Sequence, residues 1–413
     1  MFRKDYGLMA VHHAPRCPAR PHANPEQYAN GKRLPPPPVP CDPARLPTPR
    51  PSRGATNARA ARLRDALLAW YDTSRRLLPW RAPPGTLQDP WAAWVAEAML
   101  QQVRVATVLP RYPGFLVRFP TPAALAAVGP EEMLRHWNGL GRYARAHNLH
   151  AAARLVVERH GGAVPRDRDA LLALPGVGPY TAAAIRAMAH GEADPPMDPN
   201  LDRVAARLYA VADPLPAARP ALAARVRAML PRGRPGDLAQ AVMDLGATVC
   251  LPRNPRCDRC PVAADCLARR RGLQAAIPAL PPPAPRPVRR AAAFLATRPR
   301  DGAVLLRRRP PTGLLAGTLD LPATPWSRAA APPRRDRALA AAPFAADWVR
   351  LPGEVRHALS GFEARVAVYA TRRAPPRAPT PPGALWLPPD AIAGEALGGL
   401  ARKLLAHGGV AAG

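Results

Sequence analysis

A proline-rich stretch, Ile277–Pro287, divides this 413-residue chain into two parts with different hydrophobic periods. Proline fixes φ and offers no backbone N–H, so neither a helix nor a sheet ladder runs through such a stretch. Before it, residues 58–270 read as helical throughout. Apolar side chains recur at helical spacing in Leu63–Tyr71, Trp91–Leu109, Met133–Trp137, Leu149–Val157, Tyr180–Ala189 and Leu201–Val211. After it, Ala291–Thr297, Ala303–Arg308 and Arg365–Thr371 are short apolar runs of strand-like content, and only Glu395–His407 looks helical. The expected architecture is an all-α domain over 58–270, a linker over 271–290 and an α+β domain over 291–413.

Residues 1–57 read as a disordered arm, since the first 55 hold 13 prolines, nine basic and three acidic residues. The continuous apolar core of a secretory signal is missing, and with Ser52 as its single serine the arm does not match an organellar leader. Cys17 and Cys41 fall in this arm and look incidental. No apolar run approaches the roughly 18–20 residues of a membrane span, so a soluble, monomeric, cytoplasmic protein is expected. The net charge of +30 points to a polyanionic partner without separating DNA from RNA or acidic lipid.

Between two helical segments lies Leu174-Pro175-Gly176-Val177-Gly178. Its glycines permit a tight turn whose backbone N–H groups, with the N-terminus of the next helix, face a phosphate. Asp198 follows 20 residues after Gly178, just ahead of the helical segment Leu201–Tyr209. An aspartate there commonly caps the helix, and the helix N-terminus is expected to keep it ionised. Breaking an N-glycosidic bond builds positive charge on the sugar, which a buried carboxylate stabilises better than water does.

Glu97 is the only acid between Asp89 and Glu131 and sits among apolar residues. Such surroundings raise a carboxyl's pKa and fit it for general-acid work beside an ionised Asp198. Adenine is a poor leaving group until N7 is protonated, so this split of roles suits its excision.

Four further cysteines follow as Cys250-x6-Cys257-x2-Cys260-x5-Cys266. Four thiolates hold either zinc or a [4Fe–4S] cluster, and the spacing alone leaves both open. Arg253, Arg256 and Arg259 are interleaved with them, placed either to meet phosphates or to offset the charge of a cluster.

Hairpin, Gly/Pro-rich connection and aspartate together resemble the helix-hairpin-helix DNA glycosylase superfamily over about residues 60–270. The cysteine spacing after such a domain is similar to the iron–sulfur loop of its endonuclease III and MutY-type branches. Ala96–Val103 closely resembles the signature of MutY-type adenine DNA glycosylases. The resemblance implies a [4Fe–4S] cluster, double-stranded DNA carrying adenine opposite 8-oxoguanine or guanine as partner, and work on a bacterial nucleoid. It implies catalytic roles for Glu97 and Asp198, with Tyr180 and Asn200 lining the pocket and orienting the aspartate. Trp80, Arg81, Leu100 and Gln240 match the adenine pocket, although Trp80 could equally be core. Relatives that also cut the backbone carry a lysine where this chain has Tyr180, and Leu174–Met197 holds no lysine. A monofunctional enzyme that leaves an abasic site is therefore expected.

Gln102 matches the residue that wedges into the duplex opposite the flipped base. Two positions depart from the pattern nearby. Arg142-Tyr143, which match DNA-binding positions of the family, stand where two tyrosines are usual, and Asp202 replaces a lysine. Val304–Gly317 resembles the Nudix-like C-terminal domain of the same family. Only Asp336 and Asp347 are acidic between Pro322 and Val349, too few for the Mg²⁺ site of a pyrophosphohydrolase. The domain is expected instead to read 8-oxoguanine through Leu359-Ser360-Gly361, where the family has Phe-Ser-His. The alternatives are an endonuclease III-like lyase, a thymine–guanine mismatch glycosylase and a non-catalytic, zinc-stabilised DNA-binding protein.

Overall fold

Prolines set where the helices begin. The computed structural model describes residues 53–411 apart from 216, 280–284, 311–312, 360, 372–373 and 375–379. Cys17 and Cys41 thus lie outside the described residues, as does most of the expected arm. Helix α1 (Arg53–Ser74) already starts at Arg53, inside the segment expected to be arm. Helices α2 (Pro90–Leu100), α4 (Tyr112–Arg118), α5 (Pro122–Ala126), α6 (Pro130–His136), α9 (Pro179–Ala189), α10 (Pro199–Tyr209), α11 (Arg219–Met229) and α12 (Pro235–Thr248) each carry proline in their first two positions. The N–H missing from proline would have no intrahelical partner there, so the residue opens a helix at no cost. Between them lie α3 (Val105–Val108), α7 (Ala144–His160), α8 (Arg168–Leu172) and, beyond α12, α13 (Leu267–Arg270).

The run Trp91–Leu109, expected as one helix, is broken after Leu100. Gln102 takes φ 57°, a left-handed conformation that no α-helix continues through.

Two apolar cores fill the helical domain. One gathers Trp91, Trp94, Phe115, Phe119, Trp137 and Leu149; the other gathers Leu63, Leu67, Tyr71, Leu201, Val242 and Leu245. Helix α9 serves both, with Ala182 and Ile185 in the first and Ala184 and Met188 in the second. Its alanines explain how one helix packs on two sides: small side chains let neighbouring helices approach from both.

The C-terminal domain is built on β1 (Val288–Ala296), β2 (Val304–Arg308), β3 (Leu319–Asp320), β4 (Val349–Arg350), β5 (Val355–Leu359), β6 (Phe362–Thr371) and β7 (Ala384–Leu387). Strands β1 and β6 run parallel from Val288↔Glu363 to Ala296↔Thr371, while β5 and β4 pair antiparallel with β6. A second sheet has the order β3-β2-β7. The helical content exceeds the expectation: besides α16 (Gly399–His407) there are α14 (Arg335–Leu339) and α15 (Pro389–Ile392). Both are under two turns, too short to leave a periodic signal.

The domains are bonded to each other. Ala396 packs in the first helical core, and Leu315 lies against it. Asn138 Nδ2 donates to Glu395 O at 2.9 Å, Tyr143 Oη donates to Leu397 O at 2.9 Å, and His147 Nε2 lies 3.1 Å from Ala316 O.

Candidate active site and cluster loop

Asp198 is the N-cap of α10. Its Oδ1 accepts from Leu201 N at 2.7 Å and its Oδ2 from Asn200 Nδ2 at 2.8 Å. The bonds at the helix terminus favour the ionised form, as expected of the cap. Burial raises the carboxyl above its ordinary value, outweighing the bonds from Leu201 and Asn200 that favour the charged form.

Glu97 comes from the third turn of α2, a helix buried at eight positions, and it is 7% exposed. Burial pushes its carboxyl up to about 7, with the nearby Asp198 charge adding to the shift; a hydrogen bond with Tyr180 and the charge of Arg81 oppose it. Tyr180, in the first turn of α9, is pushed well above its ordinary value by burial and by the two carboxylates. Three elements thus bring two carboxyls and one phenol together. The acid with the more strongly raised pKa lies in the drier place, which is how two like groups acquire different protonation states.

The four residues expected around a base are packed inward. Trp80 is 8% exposed, in the core, with its ring edge-on to Tyr112 at 5.4 Å. Arg81 makes a two-pronged pair with Asp244, Nη1 to Oδ2 at 2.6 Å and Nη2 to Oδ1 at 2.8 Å, and Arg76 joins the same carboxylate. Burial works to raise Asp244, but Arg81 and Arg76 overcome it and hold the carboxyl below its usual range. Gln240 accepts from Gln88 Nε2 at 3.1 Å, and Leu100 is half-buried at the end of α2.

At the hairpin, Gly176 has φ 77°, and a Cβ there would lie 2.7 Å from Asn148 Cβ, so only glycine fits. The expectation for Val177 is corrected: its side chain is buried and its N–H donates to Leu174 O at 3.1 Å, so neither is free for a phosphate. Gly178 is the N-cap of α9, no side chain caps that helix, and a Cβ at Gly178 would meet open space. Gln102 (φ 57°) and Arg142 (φ 47°) are both exposed and both left-handed. Tyr143, expected at DNA beside Arg142, is 1% exposed and bonded to the C-terminal domain, which corrects that expectation.

Asp202, where a lysine was usual, is buried and paired with Arg219.

Sequence reasoning missed what joins the aspartate to the cysteines. Arg203, on α10, donates through Nη2 to Asn200 Oδ1 at 3.0 Å and to Gly246 O at 2.6 Å, and through Nε to Cys250 O at 2.8 Å. One turn on, the buried Arg207 holds Leu251 O (2.7 Å), Pro252 O (3.0 Å) and Ile277 O (2.8 Å). Gly246 was also missed: a Cβ there would stand 2.6 Å from Asn200 Cβ. Two arginines four apart, on one face of the helix that Asp198 caps, were the available signal.

Cys250, Cys257, Cys260 and Cys266 line one cavity, walled by Val204, Leu208, Leu245 and Val262. None of the four is in a disulfide. Burial pushes the Cys260 thiol up to about 11, so thiolates in this place call for a positive partner. Four cysteine sulfurs around one apolar cavity supply the thiolate set that a [4Fe–4S] cluster needs. Arg253, Arg256 and Arg259 are exposed around it.

Of the expected lesion turn, Leu359 closes β5 opposite Phe362, Gly361 is exposed at φ 88°, and Ser360 lies outside the described residues.

Residues 95–226 match the HhH-GPD superfamily of base excision DNA repair proteins, 250–266 the iron–sulfur binding domain of endonuclease III, and 292–407 the NUDIX domain. The chain is 36% identical over 386 residues to the adenine DNA glycosylase of Homo sapiens, covering 80% of this chain and 71% of that protein. It is 41% identical over 209 residues to the adenine DNA glycosylase of Mycolicibacterium smegmatis, covering 51% and 70%. A solved thermostable thymine-DNA glycosylase is 29% identical, covers 52% of this chain and 99% of that one, and has a TM-score of 0.48.

Proposed function

The chain belongs to the adenine DNA glycosylases, and from that premise we propose that it hydrolyses the N-glycosidic bond of adenine opposite 8-oxoguanine or guanine, leaving an abasic site in an uncut strand. The observation that carries this reading is Glu97, buried on α2 with its carboxyl near 7 beside Tyr180 and Asp198. A carboxyl poised there is protonated in a large fraction at neutral pH and gives its proton to N7 of a flipped-out adenine. The bond between C1′ and N9 then breaks, and adenine departs with the bonding pair.

Asp198, steadied by Leu201 N and Asn200, faces the cation left on the sugar, and water adds at C1′ to complete hydrolysis. An amine is needed to open the sugar and cut the backbone. Tyr180 offers none, and the sequence holds no lysine between Lys32 and Lys403. The four thiolates hold a [4Fe–4S] cluster, and its work is structural, fixing the loop that carries Arg253, Arg256 and Arg259 toward phosphates.

Reading of the opposing base falls to the β5–β6 turn and the exposed Gln102 and Arg142. Arg142 and Gly361 give neither the wedge of an aromatic ring nor the bond of a histidine. Discrimination between 8-oxoguanine and guanine is therefore looser than with those groups present.

The test is single-turnover excision on duplexes carrying A:8-oxoguanine, A:G, T:G and thymine glycol, with and without alkali. Strand breaks are expected only after alkali and only at adenine. Breaks without alkali would overturn the monofunctional reading, and a large preference for 8-oxoguanine over guanine would overturn the looser discrimination.

A further inference from the structure

We propose that Arg145 is a positioning residue, whose guanidinium holds the Gln102 and Arg142 turns together as one rigid grip on the duplex. This rests on the reading of Gln102 and Arg142 as the groups that meet the opposing base. Both are exposed, and both keep a left-handed backbone, at φ 57° and 47°. Such backbone is unfavourable for residues with a side chain and persists where the surroundings hold it in place. Both turns need an anchor, and one side chain supplies it.

Arg145 stands in the first turn of α7. Helix α2 ends at Leu100, just before Gln102, and a helix end leaves its last carbonyls without partners inside the helix. Nη1 of Arg145 donates to two of them, Ala98 O at 2.6 Å and Met99 O at 2.9 Å. Nη2 serves the other turn, donating to Leu140 O at 3.3 Å and Gly141 O at 3.2 Å, the carbonyls just ahead of Arg142. A planar fork suits this division, one nitrogen to each turn. Trp137 completes the seat: the guanidinium lies 5.5 Å from its ring centre, and its Nε1 donates to Gly141 O at 3.2 Å.

Burial lowers the Arg145 pKa to about 10, with the charge of Arg142 adding to the shift, so the group stays charged at neutral pH. Among the described residues no carboxylate pairs with it, and its Nε is buried without a partner. An apolar side chain of similar size would fill the place at lower cost. What the charge gains is the joining of the two turns. Arg111 works from the other flank, donating from Nη1 to Thr107 O of α3 at 3.0 Å and from Nε to Asn138 O at 2.8 Å. The Gln102 turn lies between α2 and α3, so the loop 138–141 is tied to both of its sides.

The test is a double-substitution cycle on the full, cluster-loaded chain, read by single-turnover excision from A:8-oxoguanine duplexes. Arg145→Met should slow excision at least about tenfold, by misplacing groups that touch no reacting atom. The alkaline limb set by Glu97 should stay near pH 7. Gln102→Ala and Arg142→Ala should each slow the parent at least about fivefold, and the Arg145→Met background less than about twofold. Arg145→Lys keeps the test available if Arg145→Met does not fold. Its charge still meets the buried carbonyls, but a single ammonium holds one turn and releases the other, so the same loss of coupling is expected. A parental rate in Arg145→Met, a displaced limb, or equal costs in the two backgrounds overturns the proposal alone. If neither Gln102→Ala nor Arg142→Ala slows the parent, the reading of these residues as opposing-base contacts falls, and the proposal with it.

Discussion

Glu97 sets both a working range and a cost in stability. Its proton is lost as pH rises through about 7, so excision should fall on that alkaline limb. Tyr180 lowers the Glu97 pKa through their hydrogen bond, so Tyr180→Phe should move the limb to higher pH in a single-turnover pH profile. The stability sign follows from the same shift. A folded-state pKa raised from 4.5 to about 7 gives stability that is fully present below 4.5 and lost as pH climbs through 7. Glu97→Gln removes the burial cost of the charged form. It should abolish excision, keep DNA binding, and by pH 8 resist urea better than the parent by about 3 kcal/mol. An inactive variant no more stable at pH 8 than at pH 5, relative to the parent, would contradict the burial account. Glu97 was legible in the sequence because it is a lone acid in an apolar helix. The direction at Asp198 was not, because capping is a local property and desolvation is a tertiary one.

Helix α10 spans from the aspartate to the cysteines. Its N-cap is Asp198, its first turn holds Asn200, and Arg203 and Arg207 tie its later turns to the loop that starts at Cys250. Gly246 on α12 lets Asn200 lie against that helix. Gly246→Ala should displace Asn200 and lower excision by an order of magnitude or more while iron–sulfur absorbance stays intact. Excision at the parental rate in this variant would show that Asn200 does not orient the aspartate. The start of α10 was readable from Asp198-Pro199, a cap followed by proline at the first helical position. The break between α2 and α3 was not, since the apolar period continues across Gln102 and only its backbone shows the turn. Val177 was misread for a related reason. Two glycines promise a turn, but which N–H groups the turn itself consumes depends on its geometry.

At the scale of the molecule, the change of period at the prolines was enough to expect two domains, but not their docking. The contacts run through Asn138, Tyr143 and His147, polar or amphipathic residues that carry no signal of a partner 169 to 257 positions away. Tyr143 is the clearest case: resemblance placed it at DNA, and burial places it between domains. Tyr143→Phe removes the donor to Leu397 O and should cost about 1 kcal/mol. In calorimetry, the two domains of this variant should unfold at more widely separated temperatures than in the parent. A single unchanged transition would mean that the bond contributes nothing to docking.

That same bond ends one residue away from Arg142. A loop whose neighbour is fastened to the other domain has little freedom left to adapt to its target, and its left-handed backbone is fixed before any duplex arrives. The ordering entropy of this loop is therefore spent during folding.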